Sequence, residues 1–165
     1  MKLGFIGCGN MASAIIGGIL NKGLAQPEDI CASVKTQSSA QKIQNTLGIS
    51  CTTDNLEVAK TADYLFLAVK PQFCTDVALQ IKDVLTDKQV IISVIAGKNL
   101  EWLKKHLGND KKIIRTMPNT PALVGEGVTG VCPDNLTSDE DLQNVLTLLR
   151  SFGQADIVTE PILDI

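Results

Sequence analysis

A G-x-G-x-x-A run, Gly7-Cys8-Gly9-Asn10-Met11-Ala12, joins a short apolar segment, residues 2–6, to a segment of helical periodicity, residues 10–22. It constrains the fold tightly, because it demands a strand, a sharp turn and a helix in immediate succession. Gly7 permits the turn, Gly9 leaves the backbone bare where a phosphate would approach, and Ala12 lets the helix lie close to the strand. The amides and dipole at the start of such a helix attract anions. Ala14 and Gly18, four apart, extend the close packing, and Gly23 stands where a helix of this length ends.

The same stretch invites another reading. Residues 3–20 carry no charge and follow Lys2, as in a signal peptide or a membrane span. Gly4, Gly7, Gly9, Gly17 and Gly18 interrupt it, however, and Asn10 sits near its centre. A strand, a glycine turn and a buried helix account for it better, and no membrane partner is expected.

Downstream, strand and helix patterns alternate. Strands are expected at residues 30–34, 49–52, 64–69, 90–95, 112–117, 127–131 and 155–158. The uninterrupted apolar run at 64–69 suits a strand covered on both faces. Helices are expected at 38–47, stopped by Gly48, and after Asp54, carrying Leu56 and Ala59. Further helices follow Pro71, with Val77, Ile81, Val84 and Leu85 at helical spacing, and span 100–107, closed by Gly108. Leu142, Val145, Leu146 and Leu149 mark a last full helix. The pattern predicts an α/β fold, Rossmann-type and doubly wound, with a mostly parallel sheet and helices on both faces. Residues 1–159 form one dinucleotide-binding domain in this reading, and 160–165 look like the first turn of a further helix.

Composition narrows the function. Among 165 residues, 15 Lys and Arg face 18 Asp and Glu, a net charge of −3 that argues against a nucleic-acid partner. Cys8, Cys31, Cys51, Cys74 and Cys132 are odd in number and widely spaced, so neither metal-ligand nor redox-pair spacing occurs. Isolated thiols acting as small core residues suit a reducing, cytoplasmic setting. No Ser/His/Asp set or paired carboxylates stand out, and no catalytic residue is assigned. The one histidine, His106, sits late in a helix, where partial positive charge suits the dipole.

The second strand speaks to which dinucleotide is bound. Asp29 lies 20 residues beyond Gly9 but precedes that strand, about 16 Å from the binding edge at roughly 3.3 Å per residue. The binding end offers Val34, Lys35, Thr36, Gln37, Ser38 and Ser39, with no acid. A carboxylate there would repel a 2′-phosphate, whereas Lys35 and the hydroxyls accommodate one, so NADP is preferred to NAD. Ala68-Val69-Lys70-Pro71 and Ala96-Gly97 leave the same edge and should border the rest of the cofactor. Arg115-Thr116-Met117-Pro118-Asn119-Thr120-Pro121 ends the sixth strand rigidly. Asn119 and Thr120 are the substrate-pocket candidates there, with a purely structural loop as the equal alternative.

Together these blocks resemble the N-terminal domain of the pyrroline-5-carboxylate reductases. The resemblance rests on Gly4-Phe5-Ile6-Gly7-Cys8-Gly9-Asn10-Met11-Ala12, on Leu65-Phe66-Leu67-Ala68-Val69-Lys70-Pro71-Gln72, on residues 93–97 and on the Arg115-to-Pro121 block, in the family's order. It implies that Ile6, Gly7, Cys8, Gly9, Asn10 and Met11 bind pyrophosphate. It also implies that Val34, Lys35, Thr36 and Asn55 approach the adenosine ribose and its 2′-phosphate, and that Ala68, Val69, Lys70, Pro71, Ala96 and Gly97 line the remainder. At residue 34 the family often offers a hydroxyl, where valine has only its amide.

The implied reaction is hydride transfer from NADPH to the C=N carbon of 1-pyrroline-5-carboxylate, giving L-proline. Such chemistry needs positioning more than an acid–base pair. The family continues into a helical domain that completes the substrate site and forms a homo-oligomer. The resemblance therefore implies that these residues are the cofactor-binding half, with little turnover alone. Another two-domain reductase or dehydrogenase, such as a hydroxy acid dehydrogenase or a deazaflavin-dependent NADP reductase, is an alternative. A non-catalytic nucleotide-sensing domain is another.

Overall fold

The computed structural model describes residues 1–118 and 127–164. Its strands are β1 (Leu3–Ile6), β2 (Ile30–Ser33), β3 (Ser50–Thr52), β4 (Tyr64–Leu67), β5 (Val90–Ser93), β6 (Lys112–Pro118), β7 (Gly127–Pro133) and β8 (Gly153–Ile157). The helices are α1 (Asn10–Asn21), α2 (Gln37–Leu47), α3 (Asn55–Thr61), α4 (Cys74–Ile81), α5 (Leu100–Leu107), α6 (Asp139–Arg150) and a short α7 (Glu160–Leu163). The eight strands form one sheet in the order β3-β2-β1-β4-β5-β6-β7-β8. The pairings from β3 across to β6 are parallel, β7 runs antiparallel to β6, and β8 is parallel to β7. This is the doubly wound Rossmann-type arrangement that the alternation predicts.

The central strands carry almost only apolar side chains because both of their faces are covered. On one face Leu3, Phe5, Phe66, Ile92 and Ile114 meet Ile15, Ile16 and Ile19 of α1 and Val145 and Leu149 of α6. On the other, Ile6, Leu65, Leu67, Ile91 and Ile113 meet Val58 of α3, Ile81 of α4, and Leu103 and Leu107 of α5. Burying each such side chain contributes about 1.5–3 kcal/mol, so these two layers fix the sheet between its helices. Polar caps set where the helices begin. Thr36, Asp54, Asn99 and Ser138 accept from the amides of Ser39, Leu56, Trp102 and Asp141.

Several boundaries differ from the expectation. β2, β4 and β5 stop at Ser33, Leu67 and Ser93, one or two residues early. The register explains this, since Ile6 pairs with both Ser33 and Leu67, and Leu67 pairs with Ser93, so the strands end on a common row. After Pro71 a 3-10 turn (Pro71–Phe73) precedes α4, which ends at Ile81. Val84 and Leu85 lie beyond α4, although Leu85 remains buried. Residues 3–20 divide into β1, the turn and most of α1, and no described helix is long and apolar enough to cross a membrane. A Cβ on Gly18 would lie 2.7 Å from the Ser151 carbonyl oxygen, so α1 packs against the turn after α6 there. Not every cysteine is a core residue: Cys51, Cys74 and Cys132 are buried, while Cys8 and Cys31 are partly exposed. The Nδ1 of His106 lies 2.8 Å from the Trp102 carbonyl oxygen and its ring stacks on Trp102.

Cross-links close the edge where the parallel strands begin. The Tyr64 hydroxyl donates to Asp141, which also pairs with Lys112, and Lys2 pairs with Asp29. Asp134 forms a buried ion pair with Lys104 and accepts from the amides of Ile113, Leu136 and Thr137 and the Thr137 hydroxyl. Burial pushes the Asp134 carboxyl up, but the bonds from Lys104 and Thr137 outweigh it and hold the group below its usual range. A carboxylate depressed in the folded state stabilises above its unfolded pKa of about 3.9, and that contribution is lost as pH falls through the lower folded value. Asp134→Ala should cost about 3 kcal/mol in urea unfolding at pH 7, because it strands Lys104 and several amides. The difference from the parent chain should shrink below pH 4. A loss under 1 kcal/mol, or one that grows in acid, would contradict this.

Candidate functional site

The opposite edge, where the parallel strands end, gathers the loops that the sequence singles out. β1 leads into Gly7, β2 into Val34, β4 into Ala68 and β5 into Val94. One row of backbone bonds ties these exits together: Gly7 N–H to Ser33 O, Ala68 N–H to Ile6 O and Val94 N–H to Leu67 O, at 2.8–3.0 Å. Ile6, Gly7, Cys8, Gly9, Asn10, Met11, Val34, Lys35, Thr36, Asn55, Ala68, Val69, Lys70, Pro71, Ala96 and Gly97 therefore stand on one edge of the sheet, at or beside the ends of four adjacent strands. In open α/β sheets, ligands bind outside these strand ends. Asn119 and Thr120 lie outside the described residues; the strand leading to them ends at Pro118.

The glycines of the turn do different work. Gly7 has φ +90°, and a Cβ there would sit 2.6 Å from the Ala68 carbonyl oxygen, so both conformation and space exclude a side chain. Gly9 has φ −80°, a conformation open to any residue, and a Cβ on it would meet no described atom within 4 Å. Among the described residues nothing requires its bare backbone, and the space beside it at the start of α1 is open. Gly97, with φ +77°, likewise faces open space among the described residues.

The start of α1 leaves backbone donors exposed at this edge. Its first intrahelical bond runs from Ser13 N–H to Gly9 O. The N–H groups of Asn10, Met11 and Ala12 consequently have no carbonyl one turn back. No described side chain caps this end, and no acid lies in the first turn, so among the described residues nothing neutralises the positive end of the helix dipole. Burial pushes the Cys8 thiol up even though its sulfur lies 3.7 Å from the Ser13 hydroxyl. Cys8 therefore stays uncharged at neutral pH and does not repel an anion.

The corner after β2 is ordered by a relay absent from the sequence reading. The buried Ser33 hydroxyl donates to Asn55 Oδ1 at 2.7 Å, and Asn55 Nδ2 donates to Gln80 Oε1 at 2.9 Å. Only a fold shows this chain, because its members are 22 and 25 residues apart. Val34 does not offer its amide, which is already donated to Thr52 O at 2.9 Å. Thr36 Oγ1 caps α2 and contacts the hydroxyls of Ser38 and Ser39. Lys35 is exposed, with its ammonium over the Phe73 ring. Asp29 lies just before β2, beside Lys2 at the far edge. At the β5 exit, Ser93 Oγ accepts from the Ile95 amide, and the Thr116 hydroxyl donates to Ser93 O. A cleft of about 770 Å³ along β3, between Gln44, Ser50 and Glu57, includes none of the loops from β1, β4 or β5.

Buried Arg115 was also missed as a connector. Burial works against its charge, but Asp164 and Glu160 more than offset that and raise its pKa. It donates to Glu160 at 3.1 Å and to Asp164 at 2.6 Å, and Glu160 accepts from the Leu100 amide at the start of α5. Leu163 is buried against Gly130. Residues 160–164 are thus fastened to the sheet.

Comparison with known proteins places this geometry. Residues 2–97 match the family model described as "NADP oxidoreductase coenzyme F420-dependent". The chain is 41% identical to the pyrroline-5-carboxylate reductase of Escherichia coli over 98% of its own length and 60% of that protein's. It superposes on the structure of a pyrroline-5-carboxylate reductase from Coxiella burnetii with a TM-score of 0.93 at 31% identity, covering 98% of this chain and 60% of that one. The pyrroline carboxylate reductase of Plasmodium falciparum, solved with NADP bound, gives 0.86 at 32% identity over 97% and 58%. The chain spans about 60% of the length of the curated relatives it matches.

The two glycines of the turn predict opposite mutational outcomes. Gly7→Ala should destabilise the chain by at least about 2 kcal/mol, from strained φ and the clash with Ala68. Gly9→Ala should change stability by no more than about 0.5 kcal/mol. Equal losses in urea unfolding would contradict the distinction.

Proposed function

This chain belongs to the family of NADP oxidoreductases described as coenzyme F420-dependent, and from that premise we propose that it is the dinucleotide-binding part of a 1-pyrroline-5-carboxylate reductase. The observation that carries the reading is the start of α1, where the amides of residues 10–12 have no partner among the described residues and stand beside open space at Gly9. A pyrophosphate suits those amides in charge and hydrogen-bonding polarity. The names of the relatives, matched across nearly the whole chain, support the substrate.

In this reading Gly7, Gly9 and the amides of Asn10 and Met11 hold the diphosphate, and Cys8 stays neutral beside it. Lys35, Thr36 and Asn55 receive the adenosine ribose and a 2′-phosphate. Ala68, Val69, Lys70 and Pro71 form one wall, and Ala96 and Gly97 leave room near the β5 exit. When bound, NADPH supplies the hydride that reduces the C=N bond to give L-proline. No acid–base pair is assigned, because the imine is already electrophilic when protonated and the protein's task is orientation. Asn119 and Thr120 are proposed to face the imine carboxylate. Residues 1–159 are proposed as one domain and 160–165 as the entry to a helical domain that completes the substrate site and joins subunits. The five free cysteines are in keeping with a cytoplasmic enzyme.

Calorimetric titration of the 165-residue chain should show NADPH binding roughly tenfold more tightly than NADH, as expected from a charge-assisted bond to a 2′-phosphate. Gly9→Val should weaken both about tenfold or more, by filling the open space, while leaving the fold intact. Equal affinity for both coenzymes would refute the corner assignment, and unchanged binding by Gly9→Val would refute the diphosphate site. Proline formation from the imine by these residues alone would contradict the need for a further domain.

A further inference from the structure

Lys35 and Phe73 come from opposite sides of the turn after β1. Lys35 follows β2 and Phe73 ends the 3-10 turn after β4, and β1 lies between those strands. Neighbouring strands are about 4.8 Å apart, so the two exits are separated by roughly 10 Å with the Gly7–Gly9 turn between them. Across that gap the Lys35 ammonium sits 2.8 Å from the Phe73 ring centroid, well inside the reach of a cation–π contact. The Ser33–Asn55–Gln80 relay joins the same two sides through α3 and α4. The relay is locked by two short bonds, whereas Lys35 is exposed and free to leave its ring.

A coenzyme whose diphosphate rests on α1 must send its adenosine half past this contact. The ring face under Lys35 is the one aromatic surface that the described loops of this edge offer to a base. We propose that Lys35 and Phe73 form an exchange pair that discriminates between coenzymes. In the free protein the ammonium occupies the Phe73 ring; a 2′-phosphate draws it away, and the exposed ring then stacks on adenine. A coenzyme without that phosphate gives Lys35 no reason to move, so adenine competes with the ammonium for the ring. Selectivity thus has a repulsive component, occupation of the ring, besides the attraction of Lys35 for phosphate. The inference rests on the dinucleotide site proposed above and adds Phe73 to it.

The test is calorimetric titration of the 165-residue chain, Lys35→Met and Lys35→Met/Phe73→Leu with NADPH and NADH. Attraction alone predicts that Lys35→Met weakens NADPH and leaves NADH unchanged. The exchange pair predicts that it weakens NADPH and strengthens NADH roughly two- to fivefold, the equivalent of an exposed cation–π contact. That gain should vanish in the double variant, which has no ring to vacate. On NADH addition to Lys35→Met, the adenine protons should move upfield by ring current, and they should not in the double variant. Unchanged NADH affinity in Lys35→Met, or a gain that survives loss of Phe73, would overturn the exchange while leaving the dinucleotide site standing. Failure of the parent chain to bind either coenzyme would overturn both.

Discussion

A side chain at residue 7 would drive its first carbon to 2.6 Å from the Ala68 carbonyl oxygen, while its backbone would be held at φ +90°. This close approach of the β1 exit to the β4 exit sets the geometry of the whole edge. It lets α1 start immediately beyond the sheet, so that its first unpaired amides stand over the strand ends instead of being displaced into solvent. The bonds from Gly7 to Ser33 and from Ala68 to Ile6 then hold the neighbouring exits at the same height. Without that approach the loops from β2, β4 and β5 would not border one space.

The two edges of the parallel strands differ in how their polar groups are satisfied. Asp134 with Lys104, and Tyr64 with Asp141 and Lys112, saturate their polar groups with protein partners at the edge where these strands begin. At the other edge, among the described residues, the amides at the start of α1 stand free and Gly9 and Gly97 face open space. Polar groups satisfied internally rigidify a structure; groups left open in an ordered frame are available to a ligand. Arg115 adds a third fixture, fastening residues 160–164 across the start of α5.

Much of this was legible in the sequence because its determinants are local. The glycine run, the apolar bursts of β1, β4 and β5 and the caps at Thr36 and Asp54 each declare themselves within a few residues. Boundaries at the binding edge were less legible: Ala68, Val69, Val94 and Ile95 are apolar enough to prolong a strand pattern, yet the register ends pairing before them. The Ser33–Asn55–Gln80 relay, the Arg115 fixture and the Lys35–Phe73 contact join residues 22 to 60 positions apart. No periodicity carries such pairings, which arise only when the sheet order is known. Val34 shows the same limit from the other side, since its amide looks free in sequence and is consumed by β3.

The central claim is that the free amides at the start of α1 receive the coenzyme's diphosphate. Amide-resolved NMR of the chain titrated with NADPH tests it most directly. The account predicts that the amides of Gly9, Asn10, Met11 and Ala12 shift most, downfield, with smaller changes at Lys35 and Thr36, while Ile113 and Thr137 at the opposite edge stay still. Saturable binding that moved those distant amides and left residues 9–12 unchanged would contradict it.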